Sequence, residues 1–303
     1  MKWGVALNVR DGISETIRKA EIADKGGLDQ VWVTDFPALR YAPTVAAAIA
    51  ESTSSCRVGV GLVSPLLYST THIAQFMSTL IDTYGERFDL LLGPGDRLAL
   101  ASVGVSYTAK TMVDKTKDAL DEIKQTISEA GHKSSVLLGA QGPVMIKASL
   151  KADGVLLNYS DIEMVKWALR QMEDQATDDF HLGVFPPTFV GDCQDIMRNQ
   201  GISGSAAMVA IGLSSVVSEA FGIRDRIEAA RKVLKKSGQI DSEVIKTLGS
   251  EVLRKFAFCG PSEQLEVYMK TLEKLSISSI VFGPPQGVRK QGVQTLASAK
   301  RGD

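Results

Sequence analysis

Cysteine is scarce: Cys56, Cys193 and Cys259 are the three in 303 residues. Far apart and odd in number, they form no CxxC pair, no zinc-ligand spacing and no evident disulfide framework. That usage suits a protein of a reduced compartment. An excess of one charge is also missing. The chain has 34 Lys+Arg against 35 Asp+Glu, a net charge of −1, which removes the electrostatic case for a broad basic face on nucleic acid or anionic membrane. No run approaches the roughly 18 apolar residues of a membrane span. The most apolar stretch, Ala206 to Ile223, is broken by Ser214, Ser215, Ser218 and Glu219. A secretory leader is not expected either, because Trp3-Gly4-Val5-Ala6-Leu7 reads as a strand and meets Arg10 and Asp11 too soon. A cytoplasmic location is the expectation.

What the chain does have is one alternation, repeated. Short β-branched runs recur between amphipathic helical stretches, the pattern of βαβ units on a parallel sheet. Strands are expected near Gly4–Asn8, Gln30–Thr34, Arg57–Leu62, Phe88–Leu92, Ser135–Leu138, Gly154–Leu157, His181–Phe185 and Ser278–Phe282. Helices are expected near 13–26, 43–53, 72–84, 111–131, 143–151 and 161–175. In the fourth, Met112, Thr116, Ala119, Ile123, Ile127 and Ala130 share one face. Eight such units define an α/β fold, a (β/α)8 TIM-type barrel, at a length usual for one. Between strands seven and eight the segment 191–277 holds no convincing strand. It reads as helices near 192–199, 204–221, 224–237, 241–256 and 262–275, an insertion within a single domain spanning 1–303.

Function in such a barrel sits at the C-terminal ends of its strands. Those ends read Thr34-Asp35-Phe36, Gly61-Leu62-Val63-Ser64-Pro65, Leu92-Gly93-Pro94-Gly95-Asp96, Gly139-Ala140-Gln141-Gly142-Pro143, Leu157-Asn158-Tyr159-Ser160 and Phe282-Gly283-Pro284-Pro285-Gln286. The mouth is glycine-rich and neutral-polar with two carboxylates, Asp35 and Asp96. No histidine or cysteine ends a strand, which argues against a metal site and against nucleophile–histidine chemistry. No lysine is placed for a Schiff base. Such a mouth suits a cofactor that brings its own chemistry to a small-molecule substrate. At Gly139-Ala140-Gln141-Gly142-Pro143, free N–H groups opening a helix, with Lys147 one turn in, suit a phosphate; a plain tight turn is the other reading. Asp96 and Asp35 could equally be caps.

These residues carry a resemblance. Trp32-Val33-Thr34-Asp35 and Val58-Gly59-Val60-Gly61-Leu62-Val63-Ser64-Pro65 resemble the luciferase-like superfamily of flavin and deazaflavin barrels. Within it, Leu92-Gly93-Pro94-Gly95-Asp96, Leu138 to Pro143, Gly154 to Asn158 and Phe256 to Gln286 resemble the methylenetetrahydromethanopterin reductase group. The resemblance covers most of the chain and is weak over 186–255. It implies a (β/α)8 barrel with helical insertions, a homodimer, and coenzyme F420 as hydride carrier, with FMN as the alternative cofactor. It also implies a non-prolyl cis peptide at Gly61–Leu62, as a backstop for one face of the ring. The implied cofactor residues are Gly61, Leu62, Ser64, Gly139, Ala140, Gln141, Gly142, Asn158 and Tyr159. Asp96 is the implied acid, with Asp35 as a helper behind Phe36. Two positions depart from the group's pattern: Phe36 stands where it has histidine, and Ala6 where the reductases carry glutamate. Both departures point to a diverged, smaller or less polar substrate. A non-catalytic cofactor-binding paralogue and an FMN monooxygenase are the competing readings.

Overall fold

Side chains alternate across a strand, so a parallel strand covered on both faces needs apolar residues at nearly every position. That is the composition of Val31-Trp32-Val33, Val136-Leu137-Leu138 and Val155-Leu156-Leu157, all buried. The computed structural model describes residues 1–7, 10–37, 39–173, 175–177 and 179–302. Its first part follows the βα rhythm: β1 (Lys2–Leu7), α1 (Ile13–Lys25), β2 (Gln30–Val33), α2 (Ala42–Ser52), β3 (Arg57–Val63), α3 (Thr70–Tyr84), β4 (Phe88–Leu92), α4 (Arg97–Ser102), α5 (Ala109–Glu129), β5 (Ser135–Ala140), α6 (Pro143–Ala148), β6 (Gly154–Leu157), α7 (Ile162–Arg170) and β7 (His181–Val184). There follow β8 (Thr188–Val190), α8 (Gln200–Gly212), α9 (Ser215–Ala220), α10 (Arg224–Ser237), α11 (Ser242–Phe256), β9 (Phe258–Gly260) and α12 (Ser262–Glu273), then β10 (Ser279–Phe282) and α13 (Lys290–Arg301). Eight strands close a parallel barrel in the order β1-β10-β7-β6-β5-β4-β3-β2. The fold is the (β/α)8 barrel.

Two apolar clusters hold it. One lies between sheet and helices, where Val31, Val33, Ile49, Ile73, Ile123 and Leu296 are among its members. The other fills the barrel: Ala6, Trp32, Leu91, Leu137, Leu156 and Val281, with Leu62 and Phe185 packed against it. Nearer the N-terminal ends, inward positions on several strands turn polar: Gln30, Arg57, Asp89, Ser135, His181 and Ser279. There Arg57 pairs with Asp89 at 2.7 Å, and His181 Nε2 lies 2.6 Å from Ser279 Oγ. The N-terminal end is thus plugged by paired polar groups and the middle by apolar ones, so the C-terminal mouth is the end left for chemistry. Trp32 is the bulkiest part of the plug. Its indole N–H donates to Gln30 Oε1 at 3.2 Å, and it fits because Gly59 faces it. A Cβ at Gly59 would lie 2.2 Å from the Trp32 ring. Gly59→Ala is therefore expected to cost about 1–3 kcal/mol by overpacking, read from chemical denaturation. An unchanged midpoint would show that the indole can move aside.

The segment after β7 differs from its expectation in four ways. First, β8 and β9 form a two-stranded parallel sheet, with Phe189 opposite Cys259, where no strand was expected. Second, the expected helix near 192–199 is a 3-10 turn at Ile196–Arg198. Third, the expected helix near 204–221 is two helices, because Leu213 is extended and Ser214 caps α9 with its hydroxyl on the Val217 N–H. Fourth, Cys193 and Cys259 are joined in a disulfide, Cα atoms 5.7 Å apart, which corrects the reading of unpaired cysteines. Sequence spacing could not show this bond, since the pairing of β8 with β9 creates it. Cys56 is free and buried. The helices α4 and α13 were not expected. Asn8, placed at the end of the first strand, and Asp174, placed inside the helix near 161–175, lie outside the described residues.

Candidate active site

The mouth is floored by Leu62. The Gly61–Leu62 peptide is cis, and the Leu62 side chain lies over two strands at once. A Cβ at Gly93 would stand 2.5 Å from Leu62 Cδ1, and one at Gly139 would stand 2.6 Å from it. Both glycines are thus set by close approach of this leucine. Ser64, buried at 3% exposure, donates from Oγ to the Pro94 carbonyl at 2.8 Å and accepts from the Leu66 N–H at 3.2 Å. Its hydroxyl is spent on tying the β3 loop to the β4 loop. Gly95, at φ +83°, turns the β4 loop toward α4, and a Cβ there would stand 3.2 Å from Ser64 Cβ.

On the next rim, Gly139, Gln141, Gly142 and Asn158 are half-buried, while Ala140 and Tyr159 are buried. The Tyr159 hydroxyl donates to the Gln141 carbonyl, linking the ends of β5 and β6. A Cβ at Gly142 would meet Ser214 Oγ at 3.5 Å, so the α8–α9 turn of the inserted segment forms the other wall of this loop. Ser214 was not among the candidate site residues of the sequence; only the fold brings it here. Lys147 does not turn toward the loop. It pairs with Glu173 at 2.6 Å, and both are exposed, which corrects the expectation of a basic group above an anion. Nor is the helix that opens here long: α6 has six residues.

The two carboxylates part company. Asp96 is the N-cap of α4, its Oδ1 accepting from the Ala99 N–H at 2.8 Å. Asp35 lies past β2 in an aromatic setting. The Tyr68 hydroxyl donates to its Oδ1 at 3.3 Å, and the Tyr41 and Tyr68 rings touch with centroids 6.1 Å apart. Burial pushes the Asp35 carboxyl up to about 6, against the opposing pull of the Tyr68 hydroxyl and the Ala42 N–H. Burial first, and then the Asp35 charge, raise the Tyr68 and Tyr41 phenols above their usual value. Asp35 is therefore a carboxyl that can hold a proton near neutral pH, which acid catalysis requires. Its tyrosine partners were missed in the sequence, where Asp35 and Tyr68 stand 33 residues apart. Phe36 packs half-buried against the sheet–helix core, and Ala6 is enclosed in the barrel cluster.

An eight-stranded parallel barrel with a glycine-lined mouth and one half-buried acid of raised pKa is the frame of a cofactor-dependent barrel enzyme. The luciferase-like monooxygenase family model matches residues 2–279, and the chain belongs to that family. It is 24% identical to 5,10-methylenetetrahydromethanopterin reductase of Methanolobus tindarius, across 96% of each chain. Among solved structures it is similar to the coenzyme F420 dependent tetrahydromethanopterin reductase of Methanopyrus kandleri, with TM-score 0.82 and 20% identity over 98% of this chain and 97% of that one. It is also similar to an F420-dependent secondary alcohol dehydrogenase in complex with an F420-acetone adduct, with TM-score 0.71 and 13% identity over 98% and 97% of the two chains.

Proposed function

We propose that the chain is an F420-dependent reductase of small electrophilic carbons, with FMN as the alternative cofactor. The observations that carry this reading are the half-buried carboxyl of Asp35, past the C-terminal end of β2, and an uncharged floor of Leu62, Gly93 and Gly139 at the C-terminal ends of β3, β4 and β5. A planar ring fits such a floor, because no charged side chain has to be displaced from it. Coenzyme F420, when bound, supplies the hydride. Leu62 and the Gly61–Leu62 backbone would support its ring, with Gly139 and Ala140 nearby. The N–H groups of Gln141 and Gly142, with Asn158, would hold its phosphate; Tyr159 and Ser64 keep the loops in shape. Asp35 gives its proton to the heteroatom of the carbon that gains the hydride. Asp96 holds the β4 loop through its cap and is the second candidate acid.

Phe36 stands where the resembled reductase group has histidine and Ala6 where it carries glutamate, so two polar groups are replaced by apolar ones and the substrate is smaller or less polar than methylenetetrahydromethanopterin. An imine or a conjugated carbonyl has the required chemistry. Residues 1–303 act as one unit, with 191–277 covering the β5–β6 rim. A cytoplasmic homodimer is part of the same reading. Among the described residues, no helix is long and apolar enough to cross a membrane.

The test is cofactor binding, read by absorbance and fluorescence titration with F420 and with FMN in parallel. Gly142→Asp is the informative variant. Its Cβ would stand 3.5 Å from Ser214 Oγ and its φ is −101°, so the fold can accept it. A carboxylate beside the phosphate should weaken F420 about ten- to a hundredfold after screening. Undiminished affinity would place the phosphate elsewhere, and tighter binding of FMN would exchange the cofactor.

A further inference from the structure

We infer that Tyr68 is a positioning residue for the Asp35 acid, an assignment that rests on reading Asp35 as the proton donor. The geometry is specific. Tyr68 comes from the loop between β3 and α3, Asp35 from the loop after β2, and the phenol hydroxyl meets one carboxylate oxygen at 3.3 Å. The Ala42 backbone N–H acts on the same carboxylate. The Tyr41 ring, from the residue that precedes α2, packs on Tyr68 and braces it.

A hydrogen bond donated to a carboxylate favours its charged form, whereas burial favours the neutral one. Tyr68 does both: its ring helps to exclude water, and its hydroxyl steadies the anion left after proton transfer. The groups acting on Asp35 are burial, the Tyr68 hydroxyl and the Ala42 N–H, and no charged side chain is among them. Tyr41 faces the same carboxyl and feels its charge, but donates no hydrogen bond to it. Among the described residues, Tyr68 is thus the side chain whose hydrogen bond acts on this carboxyl. Phe36, next along the chain, carries no polar atom with which to share that work.

The experiment follows the Asp35 side-chain carboxyl by carbon NMR against pH, without cofactor or substrate, with the signal assigned by its loss in Asp35→Asn. In Tyr68→Phe the titration should move upward by about half a unit to one unit, the worth of one such bond. Tyr41→Phe should leave it nearly in place. Incorporating 3-fluorotyrosine at position 68 keeps the ring and strengthens the donor, so it should move the titration downward. The fall in rate on the alkaline side of the pH–rate profile should shift with the NMR value. An Asp35 titration that ignores both changes at position 68 would overturn the assignment. A shift present in a protein that reduces nothing would instead remove the proposed reaction and leave Tyr68 as the residue that sets this carboxyl.

Discussion

Reducing the Cys193–Cys259 bond is expected to destabilise the protein by about 4 kcal/mol. The bond closes a loop between residues 66 apart, and that loop contains α8, α9, α10 and α11 in full. It sits where the inserted helices leave and rejoin the barrel, at the parallel pairing of β8 with β9. Cross-linking the two stalks removes loop-closure entropy from the unfolded chain, and three-residue strands alone would supply little in its place. Denaturant melts with and without reductant should differ by that amount, and Cys193→Ser should reproduce the reduced curve and ignore reductant. Cys56 does not confuse the result: burial pushes its thiol up to about 11, which keeps it out of exchange. Coincident melts, with the bond verified by mass spectrometry in the oxidised sample, would show that the helices hold the stalks together unaided. In a reducing cytoplasm the insertion would work from the weaker, dithiol side of this difference.

The barrel was legible in the sequence because its strands are covered on both faces. Continuous apolar runs such as Leu90-Leu91-Leu92 and Ile280-Val281-Phe282 allow few other placements. Expected and observed strand ends agree within about two residues for the same reason. The strands β8 and β9 carried no such signal. Each has three residues, too few to show a period, and Pro186-Pro187 before β8 reads as a stop. The break at Ser214 was visible as a polar interruption of an apolar run, but not as a cap facing Gly142. Asp35 and Asp96 were both legible as acids at strand ends. Their ranking was not, because it depends on what each carboxylate touches: a helix N–H for Asp96, and a tyrosine 33 residues away for Asp35.

Asp35→Asn should lower the rate of hydride transfer by about 10²–10⁴-fold, the usual worth of a positioned acid, with cofactor affinity nearly intact. The amide keeps the shape and can still accept from Tyr68 and Ala42, so the loss would report the proton alone. Wild-type turnover should fall above pH 6 as the carboxyl ionises, whereas the residual rate of the variant should lack that limb. Stability should move the other way. A carboxyl whose value rises from 3.8 to about 6 on folding leaves the folded state unpenalised below pH 4, and weakens it as pH climbs through 6. Removing the charge should therefore stabilise the protein at pH 8 by about 2 kcal/mol, allowing for partial exposure, and change nothing at pH 4. A variant both slower and more stable at high pH is hard to explain by damage to the fold. Asp96→Asn is the control. Asparagine caps a helix about as well as aspartate, so α4 should hold and the rate should change by no more than a few-fold. If Asp96→Asn instead takes the larger loss, the acid lies in the β4 loop, and the buried Asp35–Tyr68 pair serves the architecture of the mouth rather than its chemistry.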